Sequence, residues 1–66
     1  MNSHEYVTKL QQQVDELAKE IRNLKSRAQQ LSFEARVVYD NQIAELQRRR
    51  EQLARRMEMA QDLAVI

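Results

Sequence analysis

Residues 7–38 read VTKLQQQVDELAKEIRNLKSRAQQLSFEARVV, and one set of apolar residues in this stretch recurs in alternating steps of three and four. Such spacing places these side chains on one narrow face of an α-helix, at the a and d positions of coiled-coil heptads. We call this face the seam. Its first part consists of Val7, Leu10, Val14, Leu17, Ile21, Leu24, Ala28, Leu31, Ala35 and Val38. The positions between them are mostly Gln, Lys, Glu, Arg and Ala, which favour helix intrinsically. The stretch therefore predicts a long helix that packs against another helix.

After Val38 the apolar residues change phase by one position. Counting on from the first heptads would place Glu45 and Gln52 in the seam, but the apolar residues come one position later. The second part of the seam consists of Tyr39, Ile43, Leu46, Leu53, Met57 and Ala60. Arg50 fills one position of the same series. The phase of the heptads thus differs between the two halves of the chain.

Two successive steps of four, from Ala35 to Tyr39 to Ile43, mark the change of phase. Such steps are typical of a stutter, where a coiled coil unwinds locally and its helix continues. The sequence then forms a single coiled-coil unit over 1–66. It has regular heptads at 3–38 and phase-shifted heptads at 39–64.

The composition bears on whether the chain turns. Its 66 residues include no Gly and no Pro, which commonly make tight turns and end helices. The turn candidates, Ser32-Phe33-Glu34 and Asp40-Asn41, are weak by comparison. The sequence predicts an all-α protein with one continuous helix, which begins near Asn2 and Ser3 and runs to about residue 63. At 1.5 Å per residue such a helix is about 90 Å long. The alternative is a two-helix antiparallel hairpin with a turn near residues 32–41.

A continuous helix cannot cover its own seam, so the pattern predicts self-association into a dimer or tetramer. Val and Ile at the a positions and Leu at the d positions of the first heptads favour a parallel pair. Arg50 disfavours parallel pairing, because two guanidinium groups would converge. Ala18, Ala44 and Ala54 widen the apolar face enough for more than two helices. The number and direction of the helices stay open, as does a partner that is another coiled-coil protein.

Two further features lie beside the seam or at its end. Tyr6 and Phe33 lie on its flank, which suggests a second interface. The chain ends on the apolar run Leu63-Ala64-Val65-Ile66. This end either docks in an assembly or continues in a longer parent chain.

The composition excludes most catalytic chemistry. There is no Cys, and His4 is the one histidine, so the residue types for a disulfide or a metal cluster are missing. Neighbouring carboxylates such as Asp15 and Glu16 point to different helix faces and have no apolar pocket to raise a pKa. We therefore expect no enzyme activity and no cofactor. No apolar run is long enough to span a membrane and no signal sequence is present, so we expect a cytoplasmic protein.

A basic run offers the alternative function. It consists of Arg48, Arg49, Arg50, Arg55 and Arg56. Clustered arginines can follow a nucleic-acid backbone or an anionic surface. The net charge of the chain is only +1, however, and no aromatic residue for base stacking lies in this stretch. Glu51 lies four positions before Arg55, where it can form an ion pair on a solvated helix face.

Two segments carry a family resemblance, Tyr6-Val7-Thr8-Lys9-Leu10 and Tyr39-Asp40-Asn41-Gln42-Ile43-Ala44-Glu45-Leu46. Residues 6–56 resemble short bacterial coiled-coil proteins of the stress-response type, in which a Tyr-x-x-Gln-Ile-x-x-Leu run follows a long Ala- and Lys-rich helix. The resemblance implies a helical protein without catalytic residues. Members carry a further amphipathic segment with Trp and Gly, which this chain lacks.

A looser analogy is to plasmid copy-control proteins, which are similar in length to this chain. These form helical hairpins that dimerise and bind paired RNA loops. Phe33 lies near the midpoint, where such a hairpin would turn, but the cysteines and ring-lining aromatic residues of those proteins are missing here.

Overall fold

The fold is a hairpin of two α-helices. The computed structural model describes the backbone of residues 3–65 and the side chains of residues 4–63. Helix α1 spans Ser3–Ala28 and helix α2 spans Phe33–Val65, and there is no strand within 3–65. The molecule measures 51 × 14 × 14 Å, far short of the roughly 90 Å of a single straight helix. The all-α prediction is confirmed, but the prediction of one continuous helix is wrong, and the hairpin alternative is the observed fold.

Helix α1 ends without a glycine because its last turn tightens. The N–H groups of Gln30 and Leu31 each donate to the carbonyl oxygen three residues earlier, at 3.1 and 3.2 Å. Bonds of this 3₁₀ type satisfy carbonyl groups that the end of an α-helix leaves unpaired. No residue in the described range has a positive φ angle, so no position of this turn requires Gly or Asn. The missing glycine was therefore poor evidence against a turn.

Ser32 starts helix α2 as its N-cap. Its Oγ accepts a long hydrogen bond from the Ala35 N–H at 3.5 Å, and its carbonyl accepts the Arg36 N–H at 2.9 Å. Glu34 lies in the first turn, where a negative charge is favourable. The Arg36 side chain reaches back across the turn, and its Nε donates to the Ala28 carbonyl at 3.1 Å. This bond ties the first turn of α2 to the end of α1.

The two helices pack antiparallel through the seam. Leu17 and Leu53 line one surface groove, and Leu24 and Leu46 line the next, so rising numbers in α1 meet falling numbers in α2. The most buried residues are Leu10, Ile21, Ala28 and Ile43, all seam members and all at most 7% exposed. The seam that predicted contacts between chains is therefore occupied, at least in part, within one chain.

The change of phase at the middle of the chain coincides with the turn. The helix break at residues 29–32 lies inside the stretch predicted to have regular heptads. Helix α2 is rotated about its own axis relative to the heptad phase of residues 7–38, so that Tyr39 and Ile43 face α1. Val38, the last residue of the old phase, does not join the contact and is 58% exposed. A stutter is not needed to explain the shift, because the two heptad series belong to different helices.

Candidate helix-packing face

One side of the hairpin leaves four large apolar residues only partly covered. We call it the leucine face and define it by Leu17, Leu24, Leu46 and Leu53, which are all half-buried. The first two belong to α1 and the last two to α2. By contrast, the a-position residues Ile21, Ala28 and Ile43 are buried. Other a-position residues such as Val14 and Met57 are half-buried as well. The four leucines are grouped here because they line neighbouring grooves on one side of the hairpin.

The grooves on the leucine face form one continuous surface. Arg49 lines both the groove of Leu17 and Leu53 and the groove of Leu24 and Leu46. Glu20 lines the first of these grooves together with Arg49. It also lines a third, beside Leu24 and Arg27. The face is therefore an apolar strip with an acidic side chain on α1 and a basic side chain on α2 near its centre.

The opposite flank of the helix pair is built from small and polar residues. Ala18 and Ala54 are half-buried, and so is Gln47. In heptad terms these are e positions, which lie beside the a positions. Ala44, predicted with these two alanines to widen the apolar face, is exposed instead, and Gln47 was not predicted to lie here. The sequence signal for this flank is the small residues at the e positions of two antiparallel helices.

The remaining predicted seam residues are half-buried rather than exposed. They are Val7, Val14, Leu31, Ala35, Tyr39, Met57 and Ala60. Arg50 is also half-buried, in agreement with its place in the second heptad series. Among the sixteen predicted interface residues, Val38 is thus the exposed exception.

The basic run does not form a single patch. Arg50 turns partly inwards, whereas Arg48, Arg49, Arg55 and Arg56 are exposed. At 100° per residue, consecutive arginines on an α-helix point in different directions.

Arg55 forms an ion pair with Glu51, as the spacing predicted. The Nη2 to Oε1 distance is 3.0 Å, and both side chains are well exposed. An exposed pair of this kind contributes about 0.2–1 kcal/mol. It is a feature of a solvated helix face.

The other singled-out side chains lie at the ends of the molecule. His4 and Tyr6 are exposed in the first turns of α1, and Phe33 is 79% exposed at the start of α2. Within the described side chains, no group of histidine and carboxylate residues could hold a metal ion. Leu63 is exposed. Asn2 and the side chains of residues 64–66, predicted as a helix start and an apolar docking end, lie outside the described residues.

Comparisons of this chain with protein-family models, with curated proteins and with solved structures find no match. Neither of the two described helices is long and apolar enough to cross a membrane. The leucine face offers apolar contact area, and Glu20 and Arg49 line one of its grooves together.

Proposed function

We propose that this protein is a non-enzymatic association module that acts by helix-to-helix packing through its leucine face. The observation that carries the proposal is the incomplete cover of four leucines in the middle of the molecule. Full burial of a leucine side chain contributes about 1.5–3 kcal/mol. Each of the four leucines keeps part of its surface exposed, so covering the rest contributes a fraction of this free energy per residue and favours binding of another helical surface. The first partner we consider is the protein itself, and another coiled-coil chain is the alternative partner.

The molar mass in solution tests this function. Sedimentation equilibrium of the full chain should give at least twice the 7.9 kDa chain mass at micromolar concentrations. A Leu46→Glu substitution should shift the protein to a single chain, because burying an unpaired carboxylate costs several kcal/mol. Asn41→Glu is the matched control, since it adds the same charge at an exposed position of α2 and should leave the mass unchanged.

Circular dichroism of both variants separates loss of association from loss of folding. A wild-type protein that stays a single chain at several hundred micromolar would argue against self-association. If the wild-type protein stays a single chain, and a helical Leu46→Glu variant binds other helical partners no differently from wild type, then the leucine face is not an association surface.

The second candidate function is binding of nucleic acid by the basic run. It is supported by the four exposed arginines between residues 48 and 56. Gel retardation with mixed RNA and DNA at low and high salt tests it, because phosphate contacts weaken steeply as salt rises. An Arg48→Gln, Arg56→Gln double variant should lose most of the retardation, whereas Lys9→Gln on α1 should not. Failure of the wild-type protein to retard either nucleic acid at low salt would eliminate this candidate.

The predictions of cellular location and of family rest on the sequence alone. A cytoplasmic location agrees with a chain in which 32% of the residues are charged. The resemblance to bacterial stress-response coiled-coil proteins supports a structural role within such a response. Both agree with an association module that has no catalytic residues of its own.

A further inference from the structure

We propose that the leucine face is covered by the same face of a second copy, and that the two hairpins pair with their turns at the same end. Helix α1 of each copy then lies against α2 of the other, and the result is a four-helix bundle in which neighbouring helices run antiparallel. This inference rests on the proposed function, for which it names the partner and the arrangement.

The spacing of the leucines makes the face complementary to itself. Leu17 and Leu24 are seven residues apart in α1, and Leu46 and Leu53 are seven residues apart in α2. Seven residues of helix rise about 10.5 Å. Leu17 lies beside Leu53 and Leu24 beside Leu46, so the four side chains form the corners of a near-rectangle. A rectangle maps onto itself under a twofold rotation, which is the symmetry of most protein dimers.

The charges at the centre of the rectangle decide between the two twofold arrangements. Glu20 lies near the midpoint between the leucines of α1, and Arg49 near the midpoint between those of α2. With the turns at the same end, α1 faces α2 of the second copy, and Glu20 meets the Arg49 of that copy twice over. With the turns at opposite ends, each helix faces its own equivalent, so that Glu20 meets Glu20 and Arg49 meets Arg49. Like charges placed face to face are unfavourable, whereas opposite charges support association.

The size of the face agrees with a stable pair. Stable interfaces take about 800 Å² from each partner. Any one long side of a body that measures 51 × 14 × 14 Å is close to that area. The side with the leucine face carries the four partly exposed leucines together with Glu20 and Arg49, and typical interfaces likewise combine apolar contacts with charged and polar groups.

Charge-reversal variants, first alone and then mixed, test the arrangement. Sedimentation measures the dissociation constant of the dimer for the wild-type protein, for Glu20→Arg, for Arg49→Glu, and for an equimolar mixture of the two variants. Each variant alone should dimerise about 10-fold more weakly than wild type, because two attractive contacts become repulsive. The mixture should regain an affinity close to that of wild type.

The mixture isolates contacts between chains. Glu20 and Arg49 also share a groove within one hairpin, and that neighbourhood stays repulsive in both variant chains after mixing. Recovery can therefore come only from the contact between copies. Circular dichroism of each variant confirms that the hairpin is still folded before its affinity is compared.

Three outcomes would overturn the inference in distinguishable ways. Single variants as tight as wild type, with a mixture tighter than wild type, would show that the turns lie at opposite ends. A dimeric wild type whose folded variants stay weak on mixing would show that another surface pairs, while the association function stands. A wild-type protein that remains a single chain would refute both the arrangement and self-association.

Discussion

Spin labels at residues 12 and 58 of one chain are expected to lie about 20 Å apart, since the axes of packed helices are 8–10 Å apart and each label adds a flexible arm. Both positions are exposed. They lie at nearly the same level of the hairpin, because Leu17 of α1 lies opposite Leu53 of α2. In one continuous helix the same 46-residue separation would give about 69 Å. Pulsed electron spin resonance on labelled chains diluted with unlabelled protein measures the distance within a single chain.

A second labelled pair controls for this measurement. Residues 34 and 62 both lie in α2 and are exposed, so their separation should be about 42 Å in either architecture. If the first pair gave about 69 Å while the second gave about 42 Å, the chain would not turn at residues 29–32.

Replacing Ile21 by Ala should unfold most of the protein at room temperature. Ile21 is 3% exposed and is the most buried side chain among the core residues of the hairpin. Removing a buried isoleucine to alanine costs about 2–5 kcal/mol. A domain of this size without disulfides or metal has a total stability of roughly 3–5 kcal/mol. Urea unfolding followed by circular dichroism should therefore show a strongly reduced midpoint or no folded baseline.

Val38→Ala is the matched comparison for the Ile21 variant. Both residues were predicted from the heptads to lie in the seam, but Val38 is 58% exposed. Its replacement should change the free energy of unfolding by no more than about 0.5 kcal/mol, as is usual for surface positions. Equal losses for the two variants would contradict the rotation of α2 that places Val38 outside the contact.

The helical class and most of the seam were accessible from sequence because they depend on local spacing. Steps of three and four residues identify one face of a helix without any knowledge of its partner. The same spacing does not tell whether the partner is another chain or a later part of the same one. Leu17 and Leu53 occupy d positions in either case. Whether the partner helix comes from the same chain or from another depends on the turn between α1 and α2.

The turn was missed because its signals are weak as sequence. Ser32 was recognised as a turn candidate, and it does cap α2. The other determinants are a tightened last turn of α1 and the Arg36 Nε bond to the Ala28 carbonyl. Neither requires a residue type that stands out in a helical sequence. Glycine-based rules detect helix ends in the left-handed region, and no residue among 3–65 has the positive φ angle that they detect.

The leucine face was also beyond sequence analysis, for a different reason. Heptad positions a and d contribute equally to a seam on paper. In the hairpin Ile21 and Ile43 at a positions are buried, while the four d-position leucines of the leucine face are half-buried. This asymmetry depends on how far each helix rotates about its axis.

The four-residue turn also governs whether helices are exchanged between chains. The contacts of α1 with α2 are the same when α2 comes from another molecule, so an opened turn would permit domain swapping without any loss of the seam. A short connection holds its two ends at an effective concentration on the order of millimolar. Below that concentration the chain closes on itself. Residues 29–32 thus select between a self-contained hairpin and an intertwined pair built from identical contacts.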